Sequence, residues 1–101
     1  MKKILFIVNP ISGNGRRTAI EHAIEKNIDR KLFECELRTT EYASHAEEIA
    51  REAAAQGVHI VVAVGGDGTI NEVARALVHT DAALGIIPCG SGNGLARHLR
   101  L

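Results

Sequence analysis

The sequence predicts an α/β domain in which helices cover both faces of a parallel sheet, a three-layer α/β/α arrangement. Three observations lead to this prediction. Short apolar runs rich in β-branched residues alternate along the chain with amphipathic helical patterns. These runs do not alternate with polar residues, as expected of parallel strands that are buried on both faces. A glycine-rich loop follows each of the three apolar runs.

Four segments are predicted to be strands. The buried ones are Ile4–Val8, Ile60–Val64 and Leu84–Ile87. The fourth, Phe33–Arg38, alternates apolar and charged residues, so it is predicted to be a more exposed strand nearer the edge of the sheet.

Three helical patterns lie between the strands, each with apolar residues three or four positions apart. Their apolar stripes are Ile20, Ala23, Ile24 and Ile28; Ala46, Ile49, Ala50 and Ala53; and Ile70, Val73, Ala74, Leu77 and Val78. The second helix is predicted to open with a capping box between Ser44 and Glu47, and to end at Gly57. The third is predicted to open with a capping box between Thr69 and Glu72.

Composition indicates one small globular domain, residues 1–101, with 46% hydrophobic and 24% charged residues. Twelve basic residues balance twelve acidic ones, which argues against a nucleic-acid partner. No apolar run approaches the roughly 20 residues of a membrane-spanning helix. The apolar start is too short for a signal peptide and ends at Asn9-Pro10 without a cleavage site. We therefore predict a soluble, cytoplasmic domain whose charge balance leaves peripheral membrane association open.

The first and third glycine-rich loops offer polar groups to a ligand. The first runs from Asn9 to Arg17, where Ser12 could donate to an anion, although a plain strand-to-helix turn would explain this loop alone equally well. The third runs from Pro88 to Gly94 and carries Ser91 and Asn93 on a glycine-rich backbone.

The second loop, Gly65-Gly66-Asp67-Gly68-Thr69, carries the most chemical information. It lies between a buried strand and the clearest helix, so backbone N–H groups at the helix N-terminus would favour phosphate oxygens. A carboxylate among those groups would repel the phosphate unless a cation intervened, so Asp67 is predicted to hold Mg²⁺. The alternative is that Asp67 only caps the helix. Thr69 is predicted to serve as a cap and as a phosphate contact.

The carboxyl ends of parallel strands share one edge of a sheet, so the three loops are expected to meet there and bind a polyphosphate. The common nucleotide motifs do not fit. The sequence has no G-x-x-x-x-G-K-[ST], and in Gly90-x-Gly92-x-Gly94 the third glycine comes one position early for a dinucleotide fingerprint.

Four segments occur in the order and spacing typical of the diacylglycerol kinase catalytic domain family, which includes sphingosine and ceramide kinases. They are Asn9–Gly15, Thr40 followed by His45-Ala46, Gly65–Thr69, and Pro88–Asn93. The resemblance spans nearly the whole chain and implies an NAD kinase/diacylglycerol kinase-like fold that binds ATP and Mg²⁺. The residues that it assigns to the nucleotide are Asn9, Pro10, Ser12, Gly13, Thr40, Gly65, Gly66, Asp67, Gly68, Thr69, Asn71, Ser91 and Asn93. His45 occupies a family-typical position near the nucleotide, where an exposed or cap-adjacent histidine is the alternative.

The resemblance implies transfer of the γ-phosphate of ATP to a lipid hydroxyl at a membrane surface. It also implies a second, mostly β domain that carries the lipid site, the acceptor base and further metal ligands, so we predict that the chain is a fragment ending before that domain. The third motif, Gly90-Ser91-Gly92-Asn93, resembles that of sphingosine and ceramide kinases, which leaves the acceptor lipid open. The alternatives are an NAD kinase-like phosphotransferase and a non-catalytic nucleotide-binding module. The sequence does not indicate an oligomeric state.

Overall fold

A computed structural model of the chain describes residues 2–9, 16–29 and 31–88. The elements in chain order are β1 (Lys2–Val8), α1 (Arg16–Asn27), β2 (Phe33–Thr39), α2 (His45–Ala55), β3 (Ile60–Gly65), α3 (Asp67–Leu77) and β4 (Ala83–Pro88). The predicted α/β class is confirmed. Each predicted strand is present, and its ends lie within two residues of the predicted ones.

The four strands form one parallel sheet in the order β2-β1-β3-β4. β2 lies at an edge of this sheet and alternates between half-buried and exposed residues, which confirms the prediction from its sequence pattern. At the carboxyl ends of the strands, Val8 of β1 pairs with Thr39 of β2 and with Val64 of β3. The carboxyl ends of these three strands are therefore level with one another.

Helices cover both faces of the sheet, as predicted. Alternate residues of β1 divide between two cores: Ile4, Phe6 and Val8 pack on the side of α1, whereas Leu5 and Ile7 pack on the side of α2 and α3. All five of these residues are at most 3% exposed. This burial on both faces explains why the apolar run in β1 shows no polar alternation.

The start of α2 differs from the predicted capping box. Ser44 has φ 70, in the left-handed region, and its side chain makes no capping hydrogen bond. A capping side chain normally reaches the first turn from extended backbone, which Ser44 does not adopt. The Glu47 carboxylate instead accepts hydrogen bonds from Arg51 and Arg75. The predicted end of α2 is confirmed, because Gly57 follows the helix with φ +88.

The predicted capping box of α3 is also wrong. The helix begins at Asp67 after an extended Gly66, so Thr69 lies inside the first turn. For the same reason Asp67 is the first helical residue and does not occupy the N-cap position. Val78 was predicted to belong to the apolar stripe of α3, but the helix ends at Leu77 and Val78 is 58% exposed. The buried side chain of Ala76 completes the apolar face instead.

Candidate functional site

β1 and β3 are neighbours in the sheet, and the helices that follow these two strands lie on opposite faces. α1 follows β1 over one face of the sheet, whereas α3 follows β3 over the other face. The ends of β1 and β3 are thus carried apart by helices on opposite faces. Ligands of parallel α/β sheets bind at such a point, outside the carboxyl ends of the strands.

A cleft of about 270 Å³ opens at this point. It is formed by the end of β1, the segment after β2, and the first turns of α2 and α3. Its lining residues are Asn9, Thr40, Glu41, Tyr42, Ala43, Ala46, Thr69 and Glu72. The sequence predicted three of these as ligand contacts, Asn9, Thr40 and Thr69, and the structure brings them together.

Asn9 and Thr69 join the end of β1 to the first turn of α3. The Asn9 backbone N–H donates to the Val64 carbonyl at 3.2 Å, and Asn9 Nδ2 donates to Thr69 Oγ1 at 3.3 Å. Thr69 is only 7% exposed. A Cβ atom at Gly65 would lie 2.9 Å from Thr69 Oγ1, so a glycine is required for α3 to approach β3 this closely. The hydroxyl of Thr69 therefore occupies a fixed position at the floor of the cleft.

The other two glycines of this turn face open space. Gly66 and Gly68 are exposed, and a Cβ atom at either would have no heavy atom within 4 Å. The first intrahelical hydrogen bond runs from the Ile70 N–H to the Gly66 carbonyl at 3.1 Å. The N–H groups of Asp67, Gly68 and Thr69 therefore have no intrahelical acceptor. Together with the helix dipole, these three donors suit a bound anion.

Asp67 lies exposed at the positive end of α3. Its carboxylate is stabilised there by the helix dipole, but it would repel an anionic ligand without a cation between them. In residues 2–9, 16–29 and 31–88, no group of three or more His, Cys, Asp or Glu side chains is gathered to hold a metal by itself. This single carboxylate suits Mg²⁺, which commonly takes one or two protein carboxylates together with phosphate oxygens and water. Asn71 is exposed on α3 and does not line the cleft.

The segment after β2 forms the second wall of the cleft, and hydrogen bonds hold its backbone to β1 and to α2. The Thr40 N–H donates to the Val8 carbonyl at 2.9 Å, and the Glu41 N–H donates to His45 Nδ1 at 2.9 Å. The His45 N–H in turn donates to the Tyr42 carbonyl at 3.2 Å. His45 is the first residue of α2 and only 8% exposed, so it is a buried residue that supports this wall.

Residues 3–101 match the family model described as the diacylglycerol kinase catalytic domain. The chain belongs to this family. The resemblance inferred from the four sequence segments is therefore confirmed.

Family relatives match the chain along almost all of its length. It is 37% identical over 103 residues to the diacylglycerol kinase of Bacillus subtilis (strain 168), covering 98% of this chain and 33% of that protein. It is 31% identical over 99 residues to the diacylglycerol kinase of Mycobacterium tuberculosis (strain H37Rv), covering 98% of this chain and 32% of that one. A crystal structure of a diacylglycerol kinase from Bacillus anthracis str. Sterne matches with TM-score 0.67 and 29% identity, over 95% of this chain and 36% of that one. The chain thus spans about a third of the length of these relatives.

Several residues that the family resemblance assigns to the nucleotide lie outside the described part of the chain: Pro10, Ser12, Gly13, Ser91 and Asn93. Five lining residues of the cleft were not predicted as contacts: Glu41, Tyr42, Ala43, Ala46 and Glu72. The sequence does hold a signal for two of them, because Glu41 and Tyr42 directly follow the predicted contact Thr40. Among the described helices, none has the length and apolar character needed to cross a bilayer.

Proposed function

We propose that this chain is the nucleotide-binding part of a lipid kinase that transfers the γ-phosphate of ATP to a lipid hydroxyl. One observation carries the proposal: Asn9, Thr40 and Thr69 converge on one cleft beside the open N-terminus of α3. Membership of the diacylglycerol kinase catalytic domain family supports the kinase class.

The two parts of the site suit the two parts of a nucleoside triphosphate. The phosphates bind the N–H groups of Asp67, Gly68 and Thr69, where no side chain blocks their approach. The nucleoside lies in the cleft beside Asn9 and Thr40, which supply polar groups in a concave wall. Phosphoryl transfer depends mainly on positioning and charge stabilisation, and both are functions that this arrangement can perform.

Asp67 is the residue that would hold Mg²⁺ in this site. When bound, the cation offsets the negative charge of the phosphates. The Asp67 carboxylate would hold the cation at the start of α3. On this proposal the acceptor is a diacylglycerol-like or sphingosine-like lipid at a membrane surface.

Thermal unfolding with ATP, in the presence and absence of Mg²⁺, tests the proposal. A ligand at about 100 times its Kd adds roughly 2.7 kcal/mol to the free energy of unfolding, so ATP with Mg²⁺ should raise the Tm of the parent clearly. Asp67→Asn is nearly isosteric and removes the charge that would hold the cation. We expect this variant to keep its Tm without ligand within a few degrees and to lose the additional shift that Mg²⁺ gives.

Asp81→Asn serves as the matched control, because Asp81 is an exposed aspartate in the turn before β4, at the amino-terminal end of that strand and away from the cleft. It should respond to ATP and Mg²⁺ as the parent does. No ATP-dependent shift in the parent at millimolar ATP would refute the nucleotide site. An unchanged Mg²⁺ effect in Asp67→Asn would refute only the role of Asp67.

A further inference from the structure

Tyr42 combines exposure with a fixed orientation at the cleft. It is the single tyrosine of the chain and lies 57% exposed in the wall that follows β2. One face of its ring stacks on the His45 imidazole, with ring centroids 4.2 Å apart and an interplanar angle of 15°. An exposed aromatic ring that is supported on one face and lines a cleft is suited to receive a flat ligand group.

The contacts around Tyr42 hold the ring in place before any ligand binds. The Tyr42 hydroxyl donates a hydrogen bond to Glu48 Oε2 on α2. The Tyr42 carbonyl accepts from the His45 N–H, and His45 Nδ1 accepts from the Glu41 N–H. Because His45 is itself buried, it anchors the whole segment against the domain. A ring held in this way loses little conformational entropy when a ligand stacks on it.

The charges around the ring identify which part of a nucleotide fits there. Glu41 and Glu72 both line the same cleft, so their carboxylates disfavour a phosphate in this part of the site. The phosphate donors lie instead at the start of α3. An uncharged aromatic group is the part of a nucleoside triphosphate that this wall can accept.

We propose that Tyr42 is the surface on which the base of the bound nucleotide stacks, and that His45 is the positioning residue that supports it. This inference rests on the proposed function and identifies the base-binding wall of that site. It makes Tyr42 a determinant of affinity for the nucleoside and leaves the phosphates to α3.

Calorimetric titration with two ligands, ATP and inorganic tripolyphosphate, each with Mg²⁺, tests the inference. Stacking of a base on an aromatic side chain is typically worth enough that Tyr42→Ala should weaken ATP binding by about ten-fold. Affinity for tripolyphosphate, which has no base, should stay unchanged. Tyr42→Phe keeps the ring and should bind ATP nearly as the parent does. Leu32→Ala removes another exposed apolar side chain, at the amino-terminal end of β2, and serves as the control.

Proton NMR of the parent gives a second readout that needs no substitution, because Tyr42 contributes the only tyrosine ring signals. These signals should move upfield with ATP and stay in place with tripolyphosphate. The inference is overturned if Tyr42→Ala leaves the ATP affinity unchanged, or if it weakens the binding of ATP and tripolyphosphate equally. It is also overturned if the Tyr42 ring signals do not move in the parent saturated with ATP. A parent that binds no ATP at all would instead refute the proposed function on which it rests.

Discussion

At the scale of single residues, the three glycines between β3 and α3 have different physical requirements. Gly65 has no room for a Cβ atom, because Thr69 Oγ1 would lie 2.9 Å away. A Cβ atom added at Gly66 or Gly68 would lie in open space, and neither residue has a left-handed φ. The fold therefore explains the glycine at position 65 but not those at 66 and 68. On the proposed function, a ligand that approaches the backbone closely would account for the other two.

Alanine substitutions separate these two requirements. Gly65→Ala should lower the free energy of unfolding by about 1–3 kcal/mol, as overpacking does. Gly66→Ala, at the N-cap, should change it by less than about 1 kcal/mol, and Gly68→Ala could even stabilise α3 by up to about 1 kcal/mol. Both should nevertheless reduce the Tm shift produced by ATP with Mg²⁺, because the added methyl group occupies the path of the phosphates.

Thermal melts with and without nucleotide measure both effects in the same samples. Gly66→Ala and Gly68→Ala variants that melt early yet keep the full nucleotide shift would contradict the proposed role of these glycines. That pattern would mean that both residues shape the turn without facing the ligand.

A local motif can be recognised in the sequence, whereas contacts between side chains of different elements cannot. Gly65 and Thr69 belong to one local motif, and their roles as nucleotide contacts stay predictions. The stack of Tyr42 on His45 depends on the left-handed turn at Ser44, which no spacing rule indicates. Glu72 looked like part of a capping box, and only the actual start of α3 shows that it lines the cleft.

At the scale of elements, the helix starts are where sequence patterns misled. Both predicted capping boxes fit the S/T-x-x-E pattern, yet α2 follows a left-handed Ser44 and α3 begins two residues before Thr69. Glu47 instead connects α2 to α3, because its Oε1 accepts hydrogen bonds from Arg75 Nε at 3.1 Å and from Arg75 Nη2 at 3.0 Å. The two helices that border the cleft are thereby joined by an ion pair.

This ion pair predicts a pH dependence. Hydrogen bonding to the Arg75 guanidinium, with a further contribution from Arg51, holds the pKa of the Glu47 carboxyl below its ordinary value although partial burial opposes the shift. A carboxyl whose pKa is lowered by folding stabilises the fold above its unfolded-state pKa, and this contribution disappears as pH falls through the lowered pKa. Glu47→Gln should therefore melt slightly below the parent at neutral pH.

The difference in Tm between Glu47→Gln and the parent should close in acid, below the lowered pKa. The effect is expected to be small, because Arg75 is 62% exposed and solvent screens the pair. Glu25→Gln, which removes an exposed carboxyl on α1 outside this ion pair, is the control. A Tm difference for Glu47→Gln that stays constant from neutral to acid pH would contradict the assignment.

At the scale of the whole molecule, the strand order determines where a ligand can bind. The sequence predicted the layers because buried parallel strands leave a distinctive run of apolar residues, as in β1. It also predicted that the glycine-rich loops share one edge, because parallel strands end on the same side. It could not predict the neighbour of each strand. The family resemblance assigned Thr40 to the nucleotide, but only the fold shows that Glu41, Tyr42 and Ala43 line the cleft with it.

A second depression lies at the amino-terminal ends of β1 and β2 and offers an alternative binding site for an anion. It measures about 530 Å³ and is lined by Lys2, Lys31, Leu32 and Phe33. Its two lysines could attract phosphate through charge alone. The proposed nucleotide site at the carboxyl edge therefore needs a measurement that reports location as well as affinity.

Backbone amide NMR during a titration with ATP and Mg²⁺ gives that location most directly. The largest shift changes should fall on Asn9, Thr40 and the segment 66–69, at the carboxyl ends of β1, β2 and β3. Amides around Lys31–Phe33 should barely move. Shift changes concentrated at Lys31–Phe33, with residues 66–69 unaffected at saturating ATP, would contradict the proposed nucleotide site.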